Sequence, residues 1–286
     1  MSVLLGGGTK VVGAAGSGSF TPNKPAGLTT LADVTFDATF DNATVSSPTS
    51  YTYNGVTVTK YATDKVQVEA GTGELGQYAL RMKHYAGTTA TYAGRARPPE
   101  DFVNPTRHLY MAWTLFLPSD FQTETGGGHK VVYPEMRIDG ASSTGKPMLN
   151  IQPVGTSTSG EYRFDFRQNI LNTGGAVNLG LNVNNKVFVV NQWYRLEYEL
   201  KCETLNQPQA NADGIIRMWS SDWTGSTWGT PTLLAEYTNV VIGGVLGTTQ
   251  KGMPSLLFDV YRGGSGSPTL INDARLYFSR MHWSRD

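Results

Sequence analysis

The chain has 286 residues, 39% hydrophobic and 11% aromatic, which is enough apolar matter for a sizeable core in one large β domain or two small ones. Its 23 basic and 23 acidic residues cancel, which excludes a global field for nucleic acid or an anionic membrane and leaves room only for a local basic patch. A single cysteine, Cys202, excludes an intrachain disulfide and a cysteine-rich metal site; no run approaches the ~18 apolar residues of a membrane span, so no membrane insertion is expected.

Residues 1–30 are rich in Gly, Ser and Pro, with only Val3, Leu4, Leu5, Val11 and Val12 as short apolar pieces. That composition buries little by itself and reads as an arm or linker ahead of a β-domain at 31–286. Such an arm docks on its own domain or on a neighbouring chain, and both readings stand. The opening MSVLLGGGTKVVGAAG has neither a basic n-region nor a continuous apolar h-region, so it is a poor secretory signal.

From Asp33 onward short alternating runs recur: DVTFDATF, YTYNGVTVTKYA, KVQVEA and QYALRMKHY. Arg107–Leu117 is the strongest of all. Leu109, Met111, Trp113, Leu115 and Leu117 share one face, and Tyr110, Ala112, Thr114 and Phe116 the other, which predicts a strand buried on both sides in the middle of a covered sheet. Pro118-Ser119-Asp120 ends it, and Gly126-Gly127-Gly128 allow a tight turn into HKVVYPEMRI. Then come PMLNIQP, EYRFDFRQN, KVFVV, WYRLEYELK, GIIRMWS, LLAEYTNVVI, SLLFDVYRG and ARLYFSRMHW. Many short strands separated by turn residues, with no repeat of 20–50 residues, predict an all-β sandwich or jelly roll of two antiparallel sheets.

Two strands divide their faces. Tyr162, Phe164 and Phe166 oppose Glu161, Arg163, Asp165 and Arg167; Tyr194, Leu196, Tyr198 and Leu200 oppose Arg195, Glu197, Glu199 and Lys201. The charged side reads either as an ordinary solvated face or as a groove lined with Arg163, Arg167, Arg195 and Glu197 that holds a polar polymer. WSSDWTGSTW adds tryptophans: Trp219 reads as core, while Trp223 and Trp228, set among Gly, Ser and Thr, read as a surface loop able to stack on sugar rings.

Four stretches in order resemble the concanavalin-like jelly-roll polysaccharide lyases of the glucuronan- and alginate-lyase type. They are LYMAWTLFLPSDF with GGGHK, QWYRLEYELK with DGIIRMW, FDVYRGGSGSP, and ARLYFSRMHW. The resemblance spans roughly Asp33 to Trp283 and implies a concanavalin-like jelly roll. It also implies abstraction of a proton alpha to a uronate carboxylate, followed by expulsion of the sugar at the 4-position. Such chemistry needs a cation or amide to neutralise the carboxylate, a base, and an acid for the leaving oxygen. Lys130 is the one residue that falls on a recognisable motif position. By residue type alone, Arg137 is a second neutraliser, His129 and Tyr133 are bases, and Tyr261 and Arg262 stand across the groove. Where the lyases continue with Leu-Pro-Gly, this chain has Val131-Val132-Tyr133-Pro134, which leaves the sandwich intact and alters the groove floor.

GGGHK lacks the spacing of a phosphate loop, and His84, His108, His129 and His282 are scattered. No cofactor and no metal ligand set is therefore expected, with calcium on loop carbonyls left open. Cys202 alternates with Leu200 and reads as a core thiol. The expected function is a glycan-recognising or structural jelly roll, best placed as a phage virion surface protein anchored to other virion proteins by its arm and present as a homo-oligomer. The alternative is a lyase of a uronate polysaccharide, and a non-classically released or intracellular lectin is a third reading.

Overall fold

A computed structural model describes residues 33–39, 50–53, 56–60, 65–69, 71–73, 78–88, 91–97, 107–122, 129–135, 147–154, 160–172, 175–182, 186–206, 209–210, 213–240, 255–262 and 269–285. Every regular element among them is a strand. In chain order they are β1 (Asp33–Thr39), β2 (Ser50–Tyr53), β3 (Val56–Lys60), β4 (Val66–Glu69), β5 (Ala79–His84), β6 (Thr91–Arg97) and β7 (His108–Leu117). Then come β8 (His129–Glu135), β9 (Pro147–Pro153), β10 (Glu161–Asn172), β11 (Gly175–Asn182), β12 (Phe188–Val189) and β13 (Gln192–Lys201). The series closes with β14 (Leu205–Asn206), β15 (Gln209–Ala210), β16 (Gly214–Asp222), β17 (Thr232–Val240), β18 (Ser255–Arg262), β19 (Ala274–Phe278) and β20 (Arg280–Arg285). The arm residues Val3, Leu4, Leu5, Val11 and Val12, and Arg137, lie outside the described residues.

Two antiparallel sheets carry the chain, as the alternating runs predict. Sheet one runs β17-β16-β13-β7-β19-β5-β4, with β20 also paired to β7 and β1 to β20. Sheet two runs β11-β10-β9-β8-β18-β6-β3-β2, with β12 beside β10. β14 and β15 form a separate two-stranded ribbon. The expected runs omitted β6 (TYAGRAR), β11 (GAVNLGLN) and this ribbon. Glycines inside β6 and β11 and the two arginines of β6 dilute the strand signal, and their neighbours in the sheet override it.

β7 sits at the centre of sheet one, paired along its length with β13 and on its other edge with β20 and β19. Both its faces are buried and only Phe116 is half-exposed, as its composition predicts. Leu109, Met111, Trp113, Leu115 and Leu117 join Tyr194, Leu196, Tyr198 and Leu200 of β13 and Ile216 and Met218 of β16 in the core. Ile151, Tyr162 and Val260 come to the same core from sheet two. Each such side chain, taken fully out of water, stabilises the fold by about 1.5–3 kcal/mol.

ARLYFSRMHW is two strands, not one. Tyr277 pairs with Phe116 but Met281 pairs with Trp113, so an extra residue bulges at the join. The Thr114 hydroxyl accepts hydrogen bonds from the backbone N–H of Ser279 (3.1 Å) and of Arg280 (3.0 Å), which satisfies both bulge donors inside the protein. At one end of the sandwich two buried tyrosines tie loops to the core. Tyr162 donates to the Phe121 carbonyl (2.6 Å), and the Tyr194 hydroxyl accepts from the Val189 N–H (2.7 Å). Burial pushes both phenols up to about 12.

Candidate functional site

The site is built from the register of sheet two. Paired positions of an antiparallel ladder share a face, and successive residues along a strand take opposite faces. Tyr92 of β6 stands opposite Tyr261 of β18, Tyr261 opposite Lys130 of β8, and Lys130 opposite Asn150 of β9. Asn150 is opposite Asp165 of β10, which is opposite Asn182 of β11. These six positions form one continuous row across six strands. At about 4.8 Å per strand the row is roughly 24 Å long.

The neighbouring row fixes which face this is. Arg262 stands opposite His129, His129 opposite Ile151, and Ile151 opposite Phe164. Ile151, like Val260 and Tyr162, is completely buried in the core between the sheets. The Ile151 row therefore belongs to the core side, and the Lys130 row to the side turned away from it. On that outer side Glu161 and Arg163 of β10 are exposed. A phenol, an ammonium and an amide thus occupy adjacent positions on a polar sheet face.

Of the residues singled out in the sequence, the register brings Lys130 and Tyr261 together. It places His129 and Arg262 in the row of the buried Ile151, away from Lys130. Tyr133 lies beyond a register shift in β8, opposite Leu257. Arg163 stands opposite Gln152 and Arg167 opposite Met148, at the same parity of β10 as Asp165. Tyr92, Asn150 and Asn182 are not singled out by the sequence, and Asp165 only as a member of a charged face, because no local spacing reveals which strands become neighbours; only the pairing does.

Arg195 and Glu197 require a correction. The sequence places them on a solvated face or in a groove open to a polymer, yet they are 3% and 0% exposed and belong to β13, in the other sheet. Here the charged side of β13 is a buried polar layer from Arg195 to Glu199, and Lys201 at the strand end is exposed. Arg195 Nε lies 3.0 Å from Glu197 Oε1, and the Tyr110 hydroxyl donates to Glu197 Oε2. Burial raises the Glu197 carboxyl and the Tyr110 phenol above their ordinary values, and the Glu197 charge raises the phenol further. Glu199 is held at 2.8 Å by His108 Nε2 and at 3.1 Å by Arg217 Nη1, whose Nε reaches Glu236 at 2.5 Å. Burial opposes ionisation of Glu199, but the hydrogen bonds and charges of His108 and Arg217 outweigh it and hold the carboxyl below its usual range.

The tryptophan loop is a braced hairpin end. Trp223 and Trp228 face each other across an antiparallel bridge, with ring centroids 5.1 Å apart and planes at 58°. Thr224 N–H donates to Thr227 O (3.0 Å) and Gly229 N–H to Asp222 O (2.9 Å), closing the turn on either side. Gly225 takes φ 94°, which an L side chain resists. Both indoles are half-exposed, and Thr224 to Thr227 are exposed. Trp219 is buried, at 6%, and Cys202 is a buried thiol, as their positions predict. Among the described residues no three His, Cys, Asp or Glu side chains gather as a metal site requires.

No protein-family model and no curated protein sequence matches the chain. Solved structures do. The alginate lyase from Aplysia kurodai superposes with a TM-score of 0.55 at 14% identity, over 78% of this chain and 88% of that one. The alginate lyase Aly36B gives 0.58 at 12% identity, over 87% and 96%. The endo-β-1,4-glucuronan lyase from Trichoderma reesei gives 0.51 at 10% identity, over 90% and 96%. At such identities the likeness is one of fold: the chain is an all-β, concanavalin-like jelly-roll sandwich of the kind these polysaccharide lyases have.

Proposed function

We propose that this jelly roll recognises an acidic polysaccharide on the outer face of sheet two. The carrying observation is the single row that sets Tyr261, Lys130 and Asn150 side by side on three paired strands. A phenol, an ammonium and an amide offer a ring face, a charge and hydrogen-bond donors to a chain of carboxylated sugars. The printed names of the structures that share the fold, alginate and glucuronan lyases, support a uronate polymer as the ligand class.

The second reading, cleavage by β-elimination, rests on the same register. In it the Lys130 ammonium neutralises the uronate carboxylate, and the Tyr261 phenolic oxygen one strand away handles the proton. The setting that goes with recognition is a virion surface, with residues 1–30 anchoring the domain to other virion proteins; the composition of that segment supports it. One set of mixtures tests recognition and cleavage together. The protein is combined with alginate, glucuronan, hyaluronan and heparin, and both retention on the polymer and ultraviolet absorbance of an unsaturated uronate are recorded. Recognition requires retention of at least one polymer that Lys130→Ala weakens roughly tenfold, the scale of a charge-assisted hydrogen bond. Cleavage requires rising absorbance that the same variant abolishes. Retention with flat absorbance leaves a binder, and no retention sinks both.

A further inference from the structure

On sheet one Arg81 pairs with Glu69, Arg195 with Glu197, and Arg217 with Glu199 and Glu236. On sheet two Arg163 is exposed and makes no ion pair with any described residue. Arg163, Asp165 and Arg167 alternate along β10 at one parity, so they take the same face, with successive positions about 6.8 Å apart. Asp165 falls in the Lys130 row, two strands from Lys130, while Arg163 and Arg167 fall in the flanking rows opposite Gln152 and Met148.

We propose that Arg163 and Arg167 are specificity residues that select a carboxylated polysaccharide over a neutral one and fix where its carboxylates lie. This rests on the recognition of a glycan by the outer face of sheet two. A guanidinium at the surface binds a carboxylate through two parallel hydrogen bonds, a geometry a sugar hydroxyl does not reproduce. Asp165 lies between the two arginine positions in the Lys130 row. Its carboxylate repels an anionic group placed beside it and directs such groups to the Arg163 and Arg167 rows. The arginine edge stands about 10 Å, two strand spacings, from Lys130. A polymer that crosses the strands therefore meets Lys130 with one sugar unit and the arginine edge with another. Discrimination comes from attraction at the arginines and repulsion at Asp165 together.

The test uses the full chain and gels cast with alginate, glucuronan, hyaluronan or heparin, with the carboxyl-reduced form of each polymer, and with dextran. The wild type is expected to be retarded by at least one polyuronate and not by its carboxyl-reduced form. The double variant Arg163→Gln/Arg167→Gln is expected to lose about fivefold to tenfold in apparent affinity, the scale of two exposed ion pairs, and more at low salt. Arg163→Lys/Arg167→Lys keeps the charge but not the fork and should recover only part of the loss. Asp165→Asn should tighten retention. Unchanged melting curves keep a folding defect from imitating the result. Retardation that survives carboxyl reduction, or that the glutamine double variant leaves unchanged, overturns the arginine assignment while glycan recognition stands. If no polymer retards the wild type, recognition at this face fails, and the arginine assignment with it.

Discussion

Glu199 is the residue at which burial and charge compete most visibly. Its carboxyl is desolvated, yet His108 and Arg217 hold it ionised and lower its pKa. A carboxyl whose pKa drops on folding contributes stability above its unfolded value, and that contribution is lost as the pH falls through the folded value. Glu197, raised by burial, acts with the opposite sign: its contribution is present at low pH and lost as the pH rises. Glu199→Ala is expected to destabilise the fold by about 3 kcal/mol at neutral pH, because Arg217 loses a buried counter-charge and His108 a hydrogen-bond partner. Urea unfolding across pH checks this. The difference from wild type should shrink as the pH falls below the ordinary glutamate value of 4.5. A constant difference would mean that packing and not the ion pair is lost. Alternation in the sequence separates Arg195, Glu197 and Glu199 from Leu196, Tyr198 and Leu200. It does not tell that the charged side is also buried, since period two reports which residues share a face and not what lies over that face.

At the scale of elements, β7 was legible because ten consecutive residues with no strong polar alternation admit only a central strand. The break between β19 and β20 was not. It depends on the hydroxyl of Thr114, 165 residues away, meeting the Ser279 N–H. β6 was also missed, and with it Tyr92, one end of the Lys130 row. The hairpin end between β16 and β17 gives a test at this scale. Trp228→Ala removes one half of the cross-strand indole pair and should cost about 1 kcal/mol, with faster amide exchange at Thr224 and Gly229 than elsewhere in sheet one. Uniform acceleration over both sheets would mean that the pair supports the whole sandwich and not its own turn.

For the whole molecule, the all-β class and the two-sheet sandwich followed from short alternating runs and turn residues, while the function did not, since this architecture serves many chemistries. The proposed one rests on β18, far downstream in the chain, pairing beside the successive strands β8, β9 and β10 in one sheet. Residues 1–30 carry the proposal of assembly. Deleting them should lower the sedimenting mass to that of a monomer without shifting the melting temperature. An unchanged mass would remove the arm from assembly. The most direct measurement remains retention of the intact protein by a polyuronate, wild type beside Lys130→Ala. The row centred on Lys130 requires retention by at least one polyuronate, weakened about tenfold in the variant with no change in melting. Equal retention of the two proteins, or none by any polymer, would contradict a polysaccharide site on the outer face of sheet two.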